Sequence, residues 1–413
     1  MSAGGIVLVH PFGNANVRGV LQALEEARLL VRFVTTLGWS ERSYPRLSDH
    51  SRARLRRVYA LPADRIDRHP LPEIVRLVAG AFGLRSLTRH ETGWASIDRV
   101  WAAVDRKAAR CLRSGGYGAH VRAVYGYEDC AAETFNAAQR LGLRRIYELP
   151  IAYWETSRRL LQEEAVRYPE WESTLGATRD SVSKLDRKTR ELELAELVIC
   201  PSNFVRDSLP PNQLARLRCI VAPFGTPELE NDPTESGRRD GVLRVLFAGS
   251  MSQRKGLADL FAAMKLLSAK HVELVVMGSL LRPLNWYRQF AKFTYEPPRP
   301  HREVLQLMRS CDVLVLPSIV EGRALVQQEA MACGLPVIAT RNAGCDDLIE
   351  DGRTGFLVPI RSPAVIAEKI DWCAADRDRV AGMGIAAQAR ARELTWRAYG
   401  AKILAAIREL TQA

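Results

Sequence analysis

The sequence predicts an α/β protein made of two Rossmann-like, doubly wound domains that face each other across a central cleft. Three observations lead there. Short apolar runs of β type alternate with amphipathic helical stretches along the whole chain, the rhythm of parallel sheets built from β-α-β units. The runs are rich in Val, Ile and Leu with little polar alternation, as in sheets covered on both faces. A break at Pro227–Gly241, where apolar residues almost vanish and Pro, Gly and charge accumulate, reads as an interdomain linker. A chain of 413 residues is too long for one core and suits two domains of roughly 150–230 residues.

In chain order, the first half offers strands at Ile6–His10, Arg32–Thr35, Arg122–Gly126, Arg145–Leu149, Leu197–Cys200 and Cys219–Ala222. Helical patterns fall at Val17–Leu30, Ala131–Leu141 and Lys188–Glu196. The second half offers strands at Leu243–Ala248, Val272–Met277, Val313–Leu316, Val337–Ala339 and Phe356–Val358. Helices are expected over Leu257–Lys270, Arg302–Ser310, Ala324–Cys333 and Pro363–Ala375. The expected division is an N-terminal domain over 1–228, a linker over 229–241, a second domain over 242–395 and a closing helix over 396–413 that returns toward the first domain. The charged stretch Glu155–Arg190 is longer than a normal crossover, and its pattern assigns it no task.

Composition narrows the classes. Hydrophobic content of 47% with 26% charged residues is that of a folded enzyme, not of a disordered chain. No window reaches the roughly 18–20 apolar residues of a membrane span. The opening MSAGGIVLVHPFG reads as a first buried strand, not a signal peptide. Cysteines 111, 130, 200, 219, 311, 333, 345 and 373 form no C-x-x-C pair, so reduced thiols in a cytoplasmic protein are expected. The net charge is +12, with eight arginines between Glu41 and Arg68. Such a region either attracts phosphate-bearing partners, including a membrane surface, or is a solvated loop. No nucleic-acid-binding motif is present, so no nucleic-acid partner is expected.

The chemistry concentrates in two segments. In Cys311–Thr340 a buried strand ends at Pro317–Ser318, a loop carries Glu321–Gly322, and a helix holding Glu329 stops at Gly334 and Pro336. On a continuous helix the two glutamates would lie about 12 Å apart along the axis, with a phosphate-favouring helix N-terminus between them. That suits a sugar, a diphosphate and a ribose laid in sequence. In Val245–Gly256 a strand runs into Gly249–Ser250, and the loop closes on Arg254–Lys255–Gly256. Small residues admit a phosphate, and two cations can balance a diphosphate leaving group. Neither domain carries G-x-G-x-x-G or a P-loop.

These segments resemble the retaining glycosyltransferases of family 4, which have the GT-B fold. EGRALVQQEAMACGLPVI is similar to that family's E-x7-E signature, RNAGCDDLIEDGRTGFLVP to the strand and turn that follow, and GSMSQRKG to its diphosphate loop. TWRAYG resembles the closing helix; ELVICPSNFV and VAPFGTP are looser matches before the linker. The resemblance implies transfer of a sugar from a nucleotide-diphosphate donor to a hydroxyl acceptor of the glycan, lipid-linked or small-molecule class. It implies no metal and no other cofactor. Glu329 would hold the ribose, Glu321 would contact the donor sugar, and Lys255 with Arg254 would neutralise the departing diphosphate. Gly249, Ser250 and the backbone of Gly322, Arg323, Ala324, Leu325 and Val326 would cradle phosphate and sugar. Transfer with retention, in which the leaving phosphate helps take the acceptor's proton, needs no strong side-chain base.

Three departures stand out. Ser250 occupies the place of an arginine, EGRA replaces E-G-F-G, and the first-domain histidine is out of register, leaving Tyr127, Glu128 or Asp129 in VYGYED. The acceptor side is expected in the first domain, around Gly13 and Asn14 with Tyr127 and Glu128. The rings of YELPIAYW either stack on acceptor or belong to the core. His10 could point into the cleft or lie buried, and His301 is expected to be a turn residue. Asp346–Asp347 and Asp376-Arg377-Asp378 mimic metal ligands, but the latter reads as solvated. An epimerase of the same architecture and a catalytically dead relative are the rival readings. The second would show loss of Lys255 or Glu329, and both are present.

Overall fold

The computed structural model describes residues 4–41, 57–227 and 241–412. Two all-parallel sheets organise them. The first comprises β1 (Gly5–Val9), β2 (Leu30–Thr35), β5 (Ile66–Arg68), β6 (Val121–Tyr127), β7 (Arg144–Glu148), β8 (Leu197–Cys200) and β9 (Arg218–Val221), in the order β5-β2-β1-β6-β7-β8-β9. A small parallel pair, β3 (Trp39–Ser40) and β4 (Val58–Tyr59), lies beside it. The second sheet comprises β10 (Leu243–Ala248), β11 (Val272–Met277), β12 (Thr294–Glu296), β13 (Val313–Leu316), β14 (Val337–Thr340) and β15 (Gly355–Val358), in the order β12-β11-β10-β13-β14-β15. The expected α/β class and its two Rossmann-like domains are both present.

Burial explains the strand runs. Every residue of β1, β8, β10, β13 and β14 is buried, which demands apolar side chains on both faces. Each sheet reverses direction of growth once, between β1 and β6 and between β10 and β13. Loops leaving the carboxyl ends of strands at such a reversal splay apart and form a crevice. The loops after β10 and β13 are those that carry Gly249–Gly256 and Pro317–Ala324.

Some boundaries differ from expectation. The helix read over Lys188–Glu196 runs Val182–Leu194, because the Ser181 hydroxyl caps it by accepting from the Lys184 N–H. The helix read to Lys270 ends at Leu266. Leu267 is extended, and the next two amides donate to the Asp371 carboxylate. Strands β5 and β12 were not anticipated, since three residues at a sheet edge are too few to show a period. All eight cysteines are free, five of them buried.

The Glu155–Arg190 stretch acquires a place. Its helix Trp154–Arg167 and the turn Pro169–Thr174 leave the first sheet and pack on the second. Trp171 sits in the second domain's core, with ring centroids 4.8 Å from Trp286, 5.2 Å from Phe290 and 6.0 Å from Phe261. The last helix, Trp396–Gln412, packs on the first helix, Ala15–Glu26. There the Tyr399 hydroxyl donates at 3.1 Å to the buried Glu148, which also receives Asn16 Nδ2 at 2.7 Å and the Tyr125 hydroxyl at 2.5 Å. Most of the expected linker and most of the arginine-rich region (residues 42–56) fall outside the described residues.

Candidate active site

The β10 loop and the β13 loop run side by side. The Arg254 carbonyl accepts from the Ile319 N–H at 2.9 Å and the Val320 N–H at 3.3 Å. Gly256, at φ 75°, lets this happen. A Cβ there would stand 2.0 Å from the Pro317 carbonyl oxygen, and the left-handed conformation itself favours glycine. The register places Lys255 Nζ on the Glu321 carboxylate, which also receives Arg254 Nη1 at 3.1 Å. The structure thus brings together the three residues expected to be catalytic.

Burial pushes the Glu321 carboxyl upward, but Lys255 and Arg254 outweigh it and hold it below the ordinary range. Burial pulls the Lys255 ammonium below its ordinary value, with Glu321 opposing. Two cations on one carboxylate leave the loop pair net positive at the mouth of the crevice. Gly249 and Ser250 lie half-buried in the same loop, where a Cβ on Gly249 would come within 3.6 Å of Lys255 Cε.

The helix carrying Glu329 is Leu325–Ala332. No side chain caps its N-terminus, and its first turn holds no acidic residue. Positive potential from the open amides of Leu325 and Val326 therefore adds to that of Lys255 and Arg254. Glu321 lies in the loop before this helix, not on it, so the continuous-helix geometry does not apply. Glu329 receives the ring of His301 at 3.1 Å. His301 is the first residue of the helix His301–Arg309.

Arg323, expected to contribute its backbone, turns its side chain inward. Its side chain is fully buried, donating to Gln328 Oε1 at 3.0 Å, the Gly344 carbonyl at 3.1 Å and Asp347 at 2.6 Å. Replacing an aromatic by arginine here has been matched by an internal set of acceptors, so the side chain braces the loop from behind. Ala324 is buried beside it.

On the first-domain side, Gly13 and Asn14 line a groove of about 460 Å³ with Phe12, Ala15, Arg18 and Arg57. A Cβ on Gly13 would meet the Tyr59 ring at 2.3 Å, so only glycine fits. Tyr127 and Glu128, expected beside that groove, do not reach it. Tyr127 is buried against His10 and Tyr125, and buried Glu128 faces Lys188 at 3.2 Å. At the end of β6 the Tyr127 ring packs edge-on against the His10 ring, 4.7 Å between centroids. His10 is likewise buried, packed on Trp101 and Tyr127. In YELPIAYW, Tyr147 and Tyr153 belong to the core.

The two domains meet at the site. A Cβ on Gly322 would lie 1.7 Å from the Pro150 carbonyl oxygen, and the Ser202 hydroxyl donates to the Gly322 carbonyl at 2.7 Å. Sequence reasoning missed the supports. Gln253 Nε2 donates to Glu164 at 2.6 Å and Asp259 at 2.8 Å, fixing the turn that carries Arg254 and Lys255. Leu160 and Leu161 pack with Ile319 and Val320, just ahead of Glu321. Both contacts come from the segment that had no assigned task, and no sequence pattern marks a helix of one domain as the backing of another.

Of the possible metal ligands, Asp376 caps a helix by accepting from the Arg379 N–H at 3.0 Å. Among the described residues, His90, Glu91 and Asp180 form a cluster with metal-compatible spacing. Lys184 Nζ already lies 3.0 Å from Asp180 and 3.1 Å from Asp98, supplying the positive charge a cation would bring.

Two parallel α/β lobes closing on paired βα loops define a GT-B protein. Over 99% of both chains the fold matches sucrose-phosphate synthase from Thermosynechococcus elongatus, with TM-score 0.69 and 18% identity. It also matches Anabaena HepE, solved with UDP and glucose, at TM-score 0.60 and 15% identity over 98% of this chain and 100% of that one. Residues 243–376 match the family model described as "Glycosyl transferases group 1". The D-inositol 3-phosphate glycosyltransferase of Paenarthrobacter aurescens is 32% identical over 185 residues, 42% of this chain and 45% of that protein. The chain thus spans about half the length of the curated relatives it matches. It has the GT-B fold, and its residues 243–376 are similar to the group 1 glycosyl transferases.

Proposed function

We propose that the chain is a retaining, metal-independent glycosyltransferase that moves a sugar from a nucleotide-diphosphate donor to a hydroxyl acceptor. One observation carries this reading: Lys255, Arg254 and an uncapped helix N-terminus converge around Glu321 at the reversal point of the second sheet. A diphosphate is the ligand that uses all three. On donor binding the two cations shift from Glu321 to the phosphates and stabilise the charge that grows as the sugar departs. Glu321, released from them, accepts hydrogen bonds from the sugar hydroxyls. Glu329 accepts from the ribose, with His301 orienting its carboxylate. The relatives' names and the family match support this reading; the acceptor enters from the Gly13–Asn14 groove of the first domain.

The test is turnover with UDP-, GDP- and ADP-sugars in the presence of EDTA. The reading expects release of one nucleoside diphosphate only with an acceptor hydroxyl, and a product whose anomeric proton coupling matches that of the donor. Inversion at the anomeric carbon, or complete loss of activity in EDTA, would overturn it.

A further inference from the structure

The helix Leu71–Ala81 is turned inside out. Its protein-facing side holds Glu73 and Ala79, both buried, while Leu71, Ile74, Leu77 and Val78 point outward. At 100° per residue these four span an arc of about 120°. Glu73 is fully neutralised inside, paired with Arg57 and with Arg76 Nε at 2.6 Å. The Arg57–Glu73 pair ties this face of the helix to the rest of the fold, and Arg76, on the helix itself, completes the neutralisation.

The apolar face continues past the helix. Phe82 is 77% exposed, Trp94 68% and Leu71 67%, with Leu84, Leu87 and Ile97 also exposed. Arg85, Arg89 and Arg99 stand exposed among them. The two carboxylates of residues 71–97 are both engaged: Glu73 as above, and Glu91 by the Ser181 amide at 2.9 Å. A surface with large apolar groups, a tryptophan and arginines, and no unengaged carboxylate, complements one partner chemistry. Apolar side chains enter the acyl boundary while arginines meet anionic headgroups.

We infer that the face formed by Leu71–Ala81, Phe82, Leu84, Leu87 and Trp94 seats the protein on an anionic lipid membrane. Arg57, which holds Glu73, also lines the Gly13–Asn14 groove and stacks over Phe12. The helix that carries the docking face is therefore tied, through its inner side, to the wall of the proposed acceptor entrance, and resting on the glycosyl-transfer reading, this favours a lipid-borne hydroxyl acceptor. No helix among the described residues is long and apolar enough to cross a membrane, so the attachment is peripheral.

The experiment is flotation of the full chain with phosphatidylcholine vesicles, with and without phosphatidylglycerol, at low and high salt. No donor or acceptor is present, so the outcome is independent of the transferase reading. The inference expects flotation with anionic vesicles, weakened by salt, and a fall of about tenfold or more in V78E/F82E, since charge replaces two inserted apolar groups. Both positions are exposed, and an unchanged melting temperature would confirm an intact fold. R85A/R89A should weaken binding to anionic vesicles only. Absence of flotation, or flotation unaffected by V78E/F82E, would overturn the inference. So would a concentration-dependent dimer dissolved by V78E/F82E in place of vesicle binding, which would assign the face to a second copy of the chain.

Discussion

Lys255 and His10 show how differently two buried bases are used. Lys255 is desolvated, which pulls its pKa down against the opposing Glu321, and its ammonium is the group proposed to stabilise the leaving diphosphate. Lys255→Ala should cut turnover roughly a hundredfold or more, the scale of losing one preorganised charge-stabilising donor. A lower melting temperature is also expected, since buried Glu321 loses one of the two cations that hold its charge. Comparing kcat with the melting curve checks both halves. Among the described residues His10 has no charged partner. Its Nδ1 receives the Phe12 N–H at 2.9 Å, and burial pulls its pKa down to about 4, with the Phe12 backbone opposing. The folded imidazole is neutral where the unfolded one, with a pKa near 6.5, takes up a proton. Its contribution to stability is therefore full above pH 6.5 and lost as pH falls toward 4, by about 3 kcal/mol in all. In denaturant titrations between pH 7 and 4, His10→Gln should reduce the protons taken up on unfolding near pH 5 by about one.

At the scale of elements, the segment Trp154–Thr174 joins structure to function. It leaves the first sheet, inserts Trp171 among Phe261, Trp286, Tyr287 and Phe290, and supports both site loops through Gln253, Ile319 and Val320. Glu164 anchors it further by pairing with Arg361. Trp171→Ala should destabilise the fold by about 3–5 kcal/mol, as expected for a large aromatic removed from a core. It should also loosen the Gln253–Lys255 turn and weaken nucleotide binding in the folded fraction. Equilibrium unfolding, followed by nucleotide titration below the transition, measures the two effects separately. A stability change without any effect on binding would show that the segment only fills space.

For the whole molecule, legibility followed the range of the forces involved. The strands at Leu243–Ala248, Val272–Met277 and Val313–Leu316 were readable to the residue, because they are apolar throughout except at Arg244 and Glu273. That Glu321, Lys255 and Arg254 meet was suggested by the family resemblance of the two loops that carry them, not by any spacing between those loops. Tyr127 and Glu128 were misplaced because the direction a residue faces at a strand end depends on what fills the neighbouring gap, here His10, Tyr125 and Lys188. Arg323 could not be read as buried, since its acceptors at Gly344 and Asp347 lie 21 and 24 residues away in sequence. The apolar face of Leu71–Ala81 has the same amphipathic pattern as any packed helix. Only the fold reveals that it points outward.

The central claim is that the loop pair around Glu321 is a nucleotide-diphosphate site. Thermal denaturation against UDP, GDP, ADP, CDP and dTDP, with and without EDTA, tests it directly. A ligand at 100 times its dissociation constant stabilises by about 2.7 kcal/mol, a shift easily seen in a melt. One of the five is expected to give such a shift, unchanged by EDTA and abolished in Glu329→Ala. Melting curves that no nucleotide moves would contradict it.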